Sequence, residues 1–174
     1  SYPNTVFATG LSGDLQLEPA DLERDWLIIG EAKSGKTNAA KLLSHFMPHH
    51  LVLEGVSSND SRLDQLTTEK RVEETYFAPA RQTLPVEGVA SNEKTGRRHL
   101  IATVSPQIVQ TSFSTPLADL RQRAILLILG DGRACRPFVK DLDSQALPDT
   151  LSPIPGRGIL VKNSKGIAIQ MAII

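Results

Sequence analysis

A stretch of eight residues, GEAKSGKT at positions 30–37, has the residue types and the spacing needed to bind phosphate groups. It follows G-x-x-x-x-G-K-T, in which glycines let backbone N–H groups turn towards phosphate oxygens. We expect Lys36 to reach the β and γ phosphates and the Thr37 hydroxyl to bind Mg²⁺. The helix that begins near Lys36 would direct its positive end at the same anion. The predicted nucleotide-binding residues are Gly30, Glu31, Ala32, Lys33, Ser34, Gly35, Lys36 and Thr37.

Hydrolysis of a bound nucleotide requires more, namely an acidic residue near Mg²⁺ and an oriented water molecule. The usual source of the acid is a neighbouring strand of four apolar residues followed by Asp. Two positions come near this pattern, Glu54 after the 51–53 run and Asp131 after the 125–129 run. The first run is short, and Gly130 stands where the second should have its acid. A purely structural strand is therefore the simpler interpretation of both.

Other side chains offer alternatives that the sequence leaves open. Three arginines are candidate arginine fingers or simply surface charges: Arg97, Arg98 and Arg157. Three histidines cluster at the end of the loop helix, where a metal site and favourable placement at a helix C-terminus are both conceivable: His45, His49 and His50. Arg136 could lower the pKa of the neighbouring Cys135, but a structural thiol is the default interpretation.

The composition is that of an ordinary globular domain without charge bias. Of 174 residues, 40% are hydrophobic, and 19 basic residues balance 19 acidic ones. Nucleic-acid binding usually requires a basic excess, so we expect no nucleic-acid partner. A single cysteine excludes an internal disulfide and favours a reducing, cytoplasmic setting. The longest apolar run, 124–129, is too short to span a bilayer, so we expect no direct membrane insertion.

Strands and helices alternate along the chain, which predicts an α/β fold. The apolar run 26–29 predicts a buried strand before the loop, the helical spacing over 38–46 a helix after it, and 51–53 a second strand. Further predictions are an opening hairpin over 7–17, strands over 99–104 and 125–129, a helix over 114–123, and a terminal hairpin over 159–174. Between them, 61–76 could form a charged helix, and 83–96 has the composition of a loop.

Four segments together resemble a known family. They are GLSGDLQLEPADLERDWLIIGEAKSGKTNAAK, RRHLIATVSPQ, AILLILGDG and SPIPGRGILVKNSKGIAIQMAI. The chain is similar to the FtsK/SpoIIIE-type ATPase domains, and in particular to the C-terminal ATPase domain of type VII (Ess/ESX) secretion proteins of the EssC/EccC family. The resemblance covers roughly two-thirds of the chain. It is poor over 55–97, where the family carries its acidic strand.

The resemblance implies a RecA-like P-loop NTPase domain with a mostly parallel sheet, flanking helices and a C-terminal β-hairpin. It implies that residues 1–174 are one domain, the C-terminal module of a longer protein anchored at the cytoplasmic face of the membrane. The implied function is that of a degenerate ATPase module of a type VII secretion motor, which recognises secreted substrates and regulates the motor. Its implied cofactors are ATP and Mg²⁺. Both would be vestigial if the missing acidic residue left the site without a function. Its implied partners are WXG-type helical substrates and neighbouring ATPase domains.

Two other functions remain open at the level of sequence. An active FtsK-like translocase of protein or DNA would need an acid from Glu54 or Asp131 and, for DNA, a basic surface. A small-molecule P-loop kinase would need an arginine-rich lid, for which 55–97 is the available segment. The terminal PGRG hairpin has no place in a kinase of that kind.

Overall fold

The apolar runs of the sequence form the strands of one sheet. The computed structural model describes residues 8–10, 13–15, 17–47, 49–63, 99–113, 115–140, 142 and 154–172. The strands are β1 (Ala8–Gly10), β2 (Gly13–Leu15), β3 (Trp26–Gly30), β4 (Leu51–Leu53), β5 (Leu100–Val104), β6 (Ile125–Leu129), β7 (Arg157–Lys162) and β8 (Lys165–Met171). The helices are α1 (Lys36–Phe46), α2 (Pro106–Gln110), α3 (Pro116–Arg123) and α4 (Gly132–Val139), and Pro19–Glu23 forms a 3-10 helix.

The strand order in the sheet is β2-β1-β8-β7-β6-β3-β5-β4. Strands β4, β5, β3 and β6 are parallel to one another, and β7, β8, β1 and β2 extend the sheet in antiparallel fashion. Every residue of β3, β5 and β6 is buried, as expected for parallel strands covered on both faces. The predicted parallel sheet flanked by helices, with an antiparallel C-terminal hairpin, is confirmed.

Side chains of β3 alternate between two hydrophobic cores. Trp26 and Ile28 point to the face covered by α1, which buries the predicted apolar positions of that helix: Ala39, Ala40, Leu42, Leu43 and Phe46. Leu27 and Ile29 point to the other face, where α3 and α4 contribute Leu120 and Phe138. Because β3 is clamped between both layers, the segment that follows it begins from a rigid position.

The buried carboxylate of Asp25 lies at the N-terminal end of β3 and links three elements there. It accepts hydrogen bonds from the backbone N–H of Leu100 at 2.8 Å and from Nε of Arg123 at 3.0 Å. The His99 ring lies beside it, with Nδ1 3.6 Å from the carboxylate, and stacks against His50 at 5.3 Å between centroids. These contacts hold β3, β5 and α3 together at the N-terminal end of β3, which is the end away from the phosphate loop.

Two of the three histidines in and after the loop helix contact neighbouring groups of the fold. His50 Nε2 is 2.9 Å from the carbonyl oxygen of Arg24, and burial lowers the pKa of His50. His45 packs edge-on against Phe46. In the described part of the chain, no group of three or more potential metal ligands comes together. His45 and His50 thus each have a contact within the fold, by ring packing and by hydrogen bonding respectively.

Two helices were not predicted. Helix α2 has only five residues, too few to produce a periodic pattern. Helix α4 begins at Gly132 and contains Pro137, two residues that disfavour helix, but Cys135, Phe138 and Val139 recur at helical spacing and are buried. The core contact outweighs the local preference.

The structure tests only some of the remaining sequence predictions. The helix predicted over 114–123 is confirmed, with the Thr115 hydroxyl accepting from the Ala118 N–H at 3.2 Å and Pro116 in the first turn. Residues 61–63 are helical, but the rest of the 61–76 helix and the 83–96 loop lie outside the described residues. Among the residues described, no helix has the length and apolar character needed to cross a membrane.

Candidate phosphate-binding site

The loop between β3 and α1 leaves three backbone donors free at the start of the helix. Gly35 caps α1 in the left-handed region, with φ 100° and ψ 12°. The first intrahelical bond runs from the Ala39 N–H to the Gly35 carbonyl oxygen at 2.9 Å. The N–H groups of Lys36, Thr37 and Asn38 precede this bond and have no intrahelical acceptor. Such a helix start is suited to binding an anion.

At both glycines of the motif, neighbouring atoms lie too close for a Cβ to fit without a shift. A Cβ at Gly30 would collide with Ser34 Oγ, and a Cβ at Gly35 would lie 2.7 Å from the backbone nitrogen of Gly156. Ser34 Oγ is itself buried and has no hydrogen-bond partner among the described groups. Buried hydroxyls are normally bonded, so the loop retains a polar atom that a ligand oxygen could satisfy. This observation fits a loop shaped for phosphate.

Lys36 folds back over its own loop. Its Nζ donates to the carbonyl oxygens of Gly30 at 2.5 Å and of Glu31 at 3.1 Å. Partial burial lowers the pKa of Lys36, and the nearby Glu31 carboxylate opposes that shift. Thr37, the predicted Mg²⁺ ligand, is exposed at the first turn of α1. The motif residues thus lie together in the loop after β3 and in the first turn of α1.

Two side-chain contacts that sequence reasoning did not anticipate flank the loop. On one side, Gln107 Nε2 of α2 donates to Glu31 Oε1 at 2.7 Å. On the other, Asn38 Nδ2 donates to the carbonyl oxygen of Ala172, just after β8, at 3.0 Å. Neither residue belongs to the motif, so only the fold reveals them.

The turn at 154–157, which contains the Pro-Gly-Arg sequence, reaches the loop directly. The Gly156 N–H donates to the Ser34 carbonyl oxygen at 2.8 Å, and the Gly156 carbonyl oxygen accepts from the Met171 N–H at 2.8 Å. Gly156 has φ +82°, a conformation that favours glycine. This turn leads into the C-terminal hairpin. Its Pro-Gly pair signalled a tight turn, but nothing in the sequence signalled the contact with the loop.

The two candidate acids lie in different positions relative to the loop. Glu54 follows β4, the outermost parallel strand, which pairs directly with β5 and so lies two strand spacings, about 10 Å, from β3. It is exposed. Asp131 follows β6, which does adjoin β3, but its Oδ1 accepts from the Ala134 N–H at 2.9 Å and caps α4. Strand β5, the other neighbour of β3, is followed by Ser105.

The remaining candidates have structural partners or cannot be placed. Arg157 Nε donates to Gln170 Oε1 at 3.2 Å, so its side chain lies along the hairpin. Arg97 and Arg98 lie outside the described residues. Cys135 is buried beneath β6, and burial, with a smaller effect of Asp131, raises the pKa of its thiol to about 12. The interpretation of Cys135 as a structural thiol agrees with this environment.

Comparison with known proteins places this geometry in context. No protein-family model and no curated protein matches the sequence. Among solved structures, the cytoplasmic domain of the type VII secretion ATPase EccC from Thermomonospora curvata matches with a TM-score of 0.58 and 13% identity, over 100% of this chain and 26% of that one. EssC (ATPases 2 and 3) from Geobacillus thermodenitrificans matches with a TM-score of 0.56 and 15% identity, over 99% of this chain and 42% of that one. The chain shares the fold of these two structures.

A third solved structure shares this fold. It is Thermomonospora curvata EccC (ATPases 2 and 3) in complex with a signal sequence peptide, with a TM-score of 0.54 and 16% identity, over 99% of this chain and 41% of that one. The present chain spans less than half the length of each of these structures. The expected fold, a largely parallel sheet flanked by helices, is confirmed, and it is shared with these EccC and EssC structures.

Proposed function

We propose that the chain is a nucleotide-binding module of a type VII secretion motor. One observation carries the proposal: between β3 and α1, the free N–H groups of the first helical turn and the Lys36 ammonium group converge on one loop. The fold it shares with EccC and EssC domains supports the choice of motor. Since the chain spans only part of those proteins, we propose that it is one domain, 1–174, of a longer chain at the cytoplasmic face of a membrane.

The residues present fit Mg-ATP. The N–H groups of residues 31–37 would hold the phosphates, Lys36 would pair with their charge, and the Thr37 hydroxyl would contact Mg²⁺. Mg²⁺, when bound, neutralises charge on the β and γ phosphates. Lys36 can leave its two carbonyl partners without disrupting the fold, because those contacts lie within the loop itself.

We propose further that the module hydrolyses ATP slowly or not at all. The support is the position of the candidate acids: Glu54 is exposed and follows β4, which β5 separates from β3, and the Asp131 carboxylate caps a helix. Because the Asp131 carboxylate is held in the cap of α4, we expect it not to orient an attacking water. Nucleotide would then act as a structural or regulatory ligand rather than as fuel in this domain.

The implied partners belong to this proposal as well. We infer that the module binds the tail of a secreted substrate, of the WXG-type helical class, and packs against neighbouring ATPase domains. Support comes from the EccC structure with a signal sequence peptide, a protein of the same fold. Titration of the purified domain with synthetic tail peptides tests this directly, and absence of saturable binding to a panel of such tails would contradict it.

Calorimetric titration with Mg-ATP, beside Lys36→Ala, tests the nucleotide site. We expect micromolar to submillimolar binding to the natural sequence and at least a tenfold loss in Lys36→Ala, because one charge-assisted contact contributes about 1.5–3 kcal/mol. Circular dichroism of both proteins controls for folding. No detectable heat from a folded natural protein would reject the nucleotide site.

An ATPase assay separates this proposal from an active translocase. We expect turnover near background, alone and with the neighbouring domains of the motor. Rapid turnover that Glu54→Gln or Asp131→Asn abolishes would favour the translocase, because those substitutions remove the two candidate acids named above.

A further inference from the structure

The His50 ring lies at the N-terminal end of β3, away from the phosphate loop, in the connection between α1 and β4. Its backbone N–H donates to the Met47 carbonyl oxygen at 3.0 Å, and the next N–H, that of Leu51, donates to the His99 carbonyl oxygen at 2.8 Å. Through its ring, His50 contacts the carbonyl oxygen of Arg24, before β3, and the ring of His99, before β5. The residue therefore links the α1–β4 connection to the starts of two central strands.

The contacts of the His50 ring determine which nitrogen carries the hydrogen. A carbonyl oxygen can only accept, so Nε2, which lies 2.9 Å from the Arg24 oxygen, is the donor. Nδ1 is buried and has no hydrogen-bond partner among the described groups. In the neutral ring, Nδ1 is only a lone pair. In the protonated ring it would be an N–H donor of a charged group with no acceptor, which is the more costly state to bury.

Titratable and charged groups face the His50 ring from each element packed against it. His49 precedes it in the same connection, and the His99 ring lies 5.3 Å away between centroids. The Asp25 carboxylate, before β3, is the one nearby group that attracts a protonated His50 ring among the described groups named here. That carboxylate already accepts from Nε of Arg123, at the end of α3, at 3.0 Å, and lies 3.6 Å from Nδ1 of His99.

The balance of these effects favours the neutral ring. Burial makes the largest contribution and lowers the pKa of His50, and the Arg24 carbonyl oxygen opposes that shift. The His99 and His49 rings lower the pKa further, and Asp25 raises it. A histidine with a lowered pKa gives stability that is complete above the value in the unfolded chain, about 6.5. That stability is lost as pH falls below 6.5 towards the value in the folded protein.

We propose that His50 forms a pH-sensitive joint, which holds the α1–β4 connection to the starts of β3 and β5 while its ring is neutral and loosens when the ring is protonated. Protonation places an N–H without an acceptor inside the fold and a second cationic ring beside His99. The joint lies at the opposite end of β3 from the phosphate loop, so this inference goes beyond nucleotide binding and does not depend on it.

Urea unfolding at pH 7.5 and pH 5.5 tests the joint, with His50→Gln beside the matched control His49→Gln. His49 is exposed and adjacent in sequence. In the natural protein, the unfolding equilibrium constant should rise as pH falls, with a contribution from His50 of up to about tenfold. That is the limit for an imidazole that titrates near 6.5 only in the unfolded chain. The rise should be at least threefold smaller in His50→Gln and within about twofold of the natural value in His49→Gln. Equal rises in both variants would overturn the proposal.

An NMR titration of the His50 ring in the isotope-labelled natural protein gives a second readout that does not require any variant to fold. We expect a midpoint below about 6.5, because the folded protein resists protonation of this ring. A midpoint at or above about 6.5 would overturn the joint, since protonation would then leave the fold as stable as before or more stable.

Discussion

The backbone N–H of Gly156 donates to the carbonyl oxygen of Ser34 across 2.8 Å, which joins the C-terminal hairpin to the phosphate loop. The residues are 122 positions apart in sequence, from 34 to 156. A Cβ at Gly35 would lie 2.7 Å from the Gly156 nitrogen, and Gly156 has a left-handed φ of +82°, which disfavours a larger residue there. The conformation of the phosphate loop therefore depends on two segments, the loop itself and the distant C-terminal hairpin. The stability of the loop and its ligand binding should depend on both.

Gly35→Ala should be more costly than the same change at another glycine of similar backbone conformation. Gly35 has φ +100° and approaches Gly156, whereas Gly55 has φ +62° and open space around it. Gly55→Ala should lower the free energy of unfolding by about 1–2 kcal/mol, the cost of a left-handed alanine. Gly35→Ala should lower it by about 2–4 kcal/mol, because the hairpin must also move. Urea unfolding of both variants measures the difference, and equal losses would mean that the turn yields freely.

Asp131 should behave as a helix cap. Asp131→Ala should lower the free energy of unfolding by about 1 kcal/mol, because the Ala134 N–H loses its acceptor, and Asp131→Ser should retain most of that stability. Both variants should bind Mg-ATP as the natural protein does. Thermal unfolding and calorimetric titration provide the two readouts. Weaker Mg-ATP binding in the stable Asp131→Ser protein would instead give the carboxylate a role at the metal.

Asp60 should make the stability of the domain depend on acid pH. Hydrogen bonds from the Arg62 side chain, and then from the N–H groups of Ser57 and Arg62, hold the pKa of Asp60 well below its usual range. A lowered pKa gives stability that is full above the unfolded value, about 4, and is lost as pH falls below it towards the folded value. Asp60→Asn should cost about 1–3 kcal/mol at pH 7 and progressively less below pH 4.

Unfolding by urea at pH 7 and pH 3 measures this effect. The exposed Glu54→Gln, which removes one carboxylate from the same connection after β4, is the control for net charge and should change stability little. A cost of Asp60→Asn that is the same at both pH values would contradict the ion pair with Arg62 as its source.

The Cys135 thiol should resist alkylation in the folded protein. Its pKa is raised to about 12 and the residue is fully buried, so very little thiolate exists at neutral pH and reagents cannot reach it. Iodoacetamide at pH 8 should label the native protein at least a hundredfold more slowly than the protein in urea. Mass spectrometry over time gives both rates. Comparable rates would mean that α4 opens readily from β6.

The sequence by itself determined the local part of this protein. The run at 26–29, the loop motif and the helical spacing over 39–46 predicted β3, the phosphate loop and α1, because strands, tight glycine turns and amphipathic helices are each encoded by residues near one another. The terminal hairpin was predicted for the same reason, from two apolar runs around Asn163 and Ser164. Residues 64–98, where the sequence pattern was weak, stay a matter of prediction.

Only the tertiary structure decided which distant residues surround the loop. The contacts of Gly156 with Ser34, of Gln107 with Glu31 and of Asn38 with Ala172 join segments that have no sequence signal in common. The order of the strands likewise decided the position of the candidate acids, because β5 lies between β3 and β4, the strand that precedes Glu54. Helix α4 forms around Gly132 and Pro137 only because its buried face has β6 and β7 to pack against. Burial of a shared apolar surface, which depends on every element at once, outweighed local preference at each of these places.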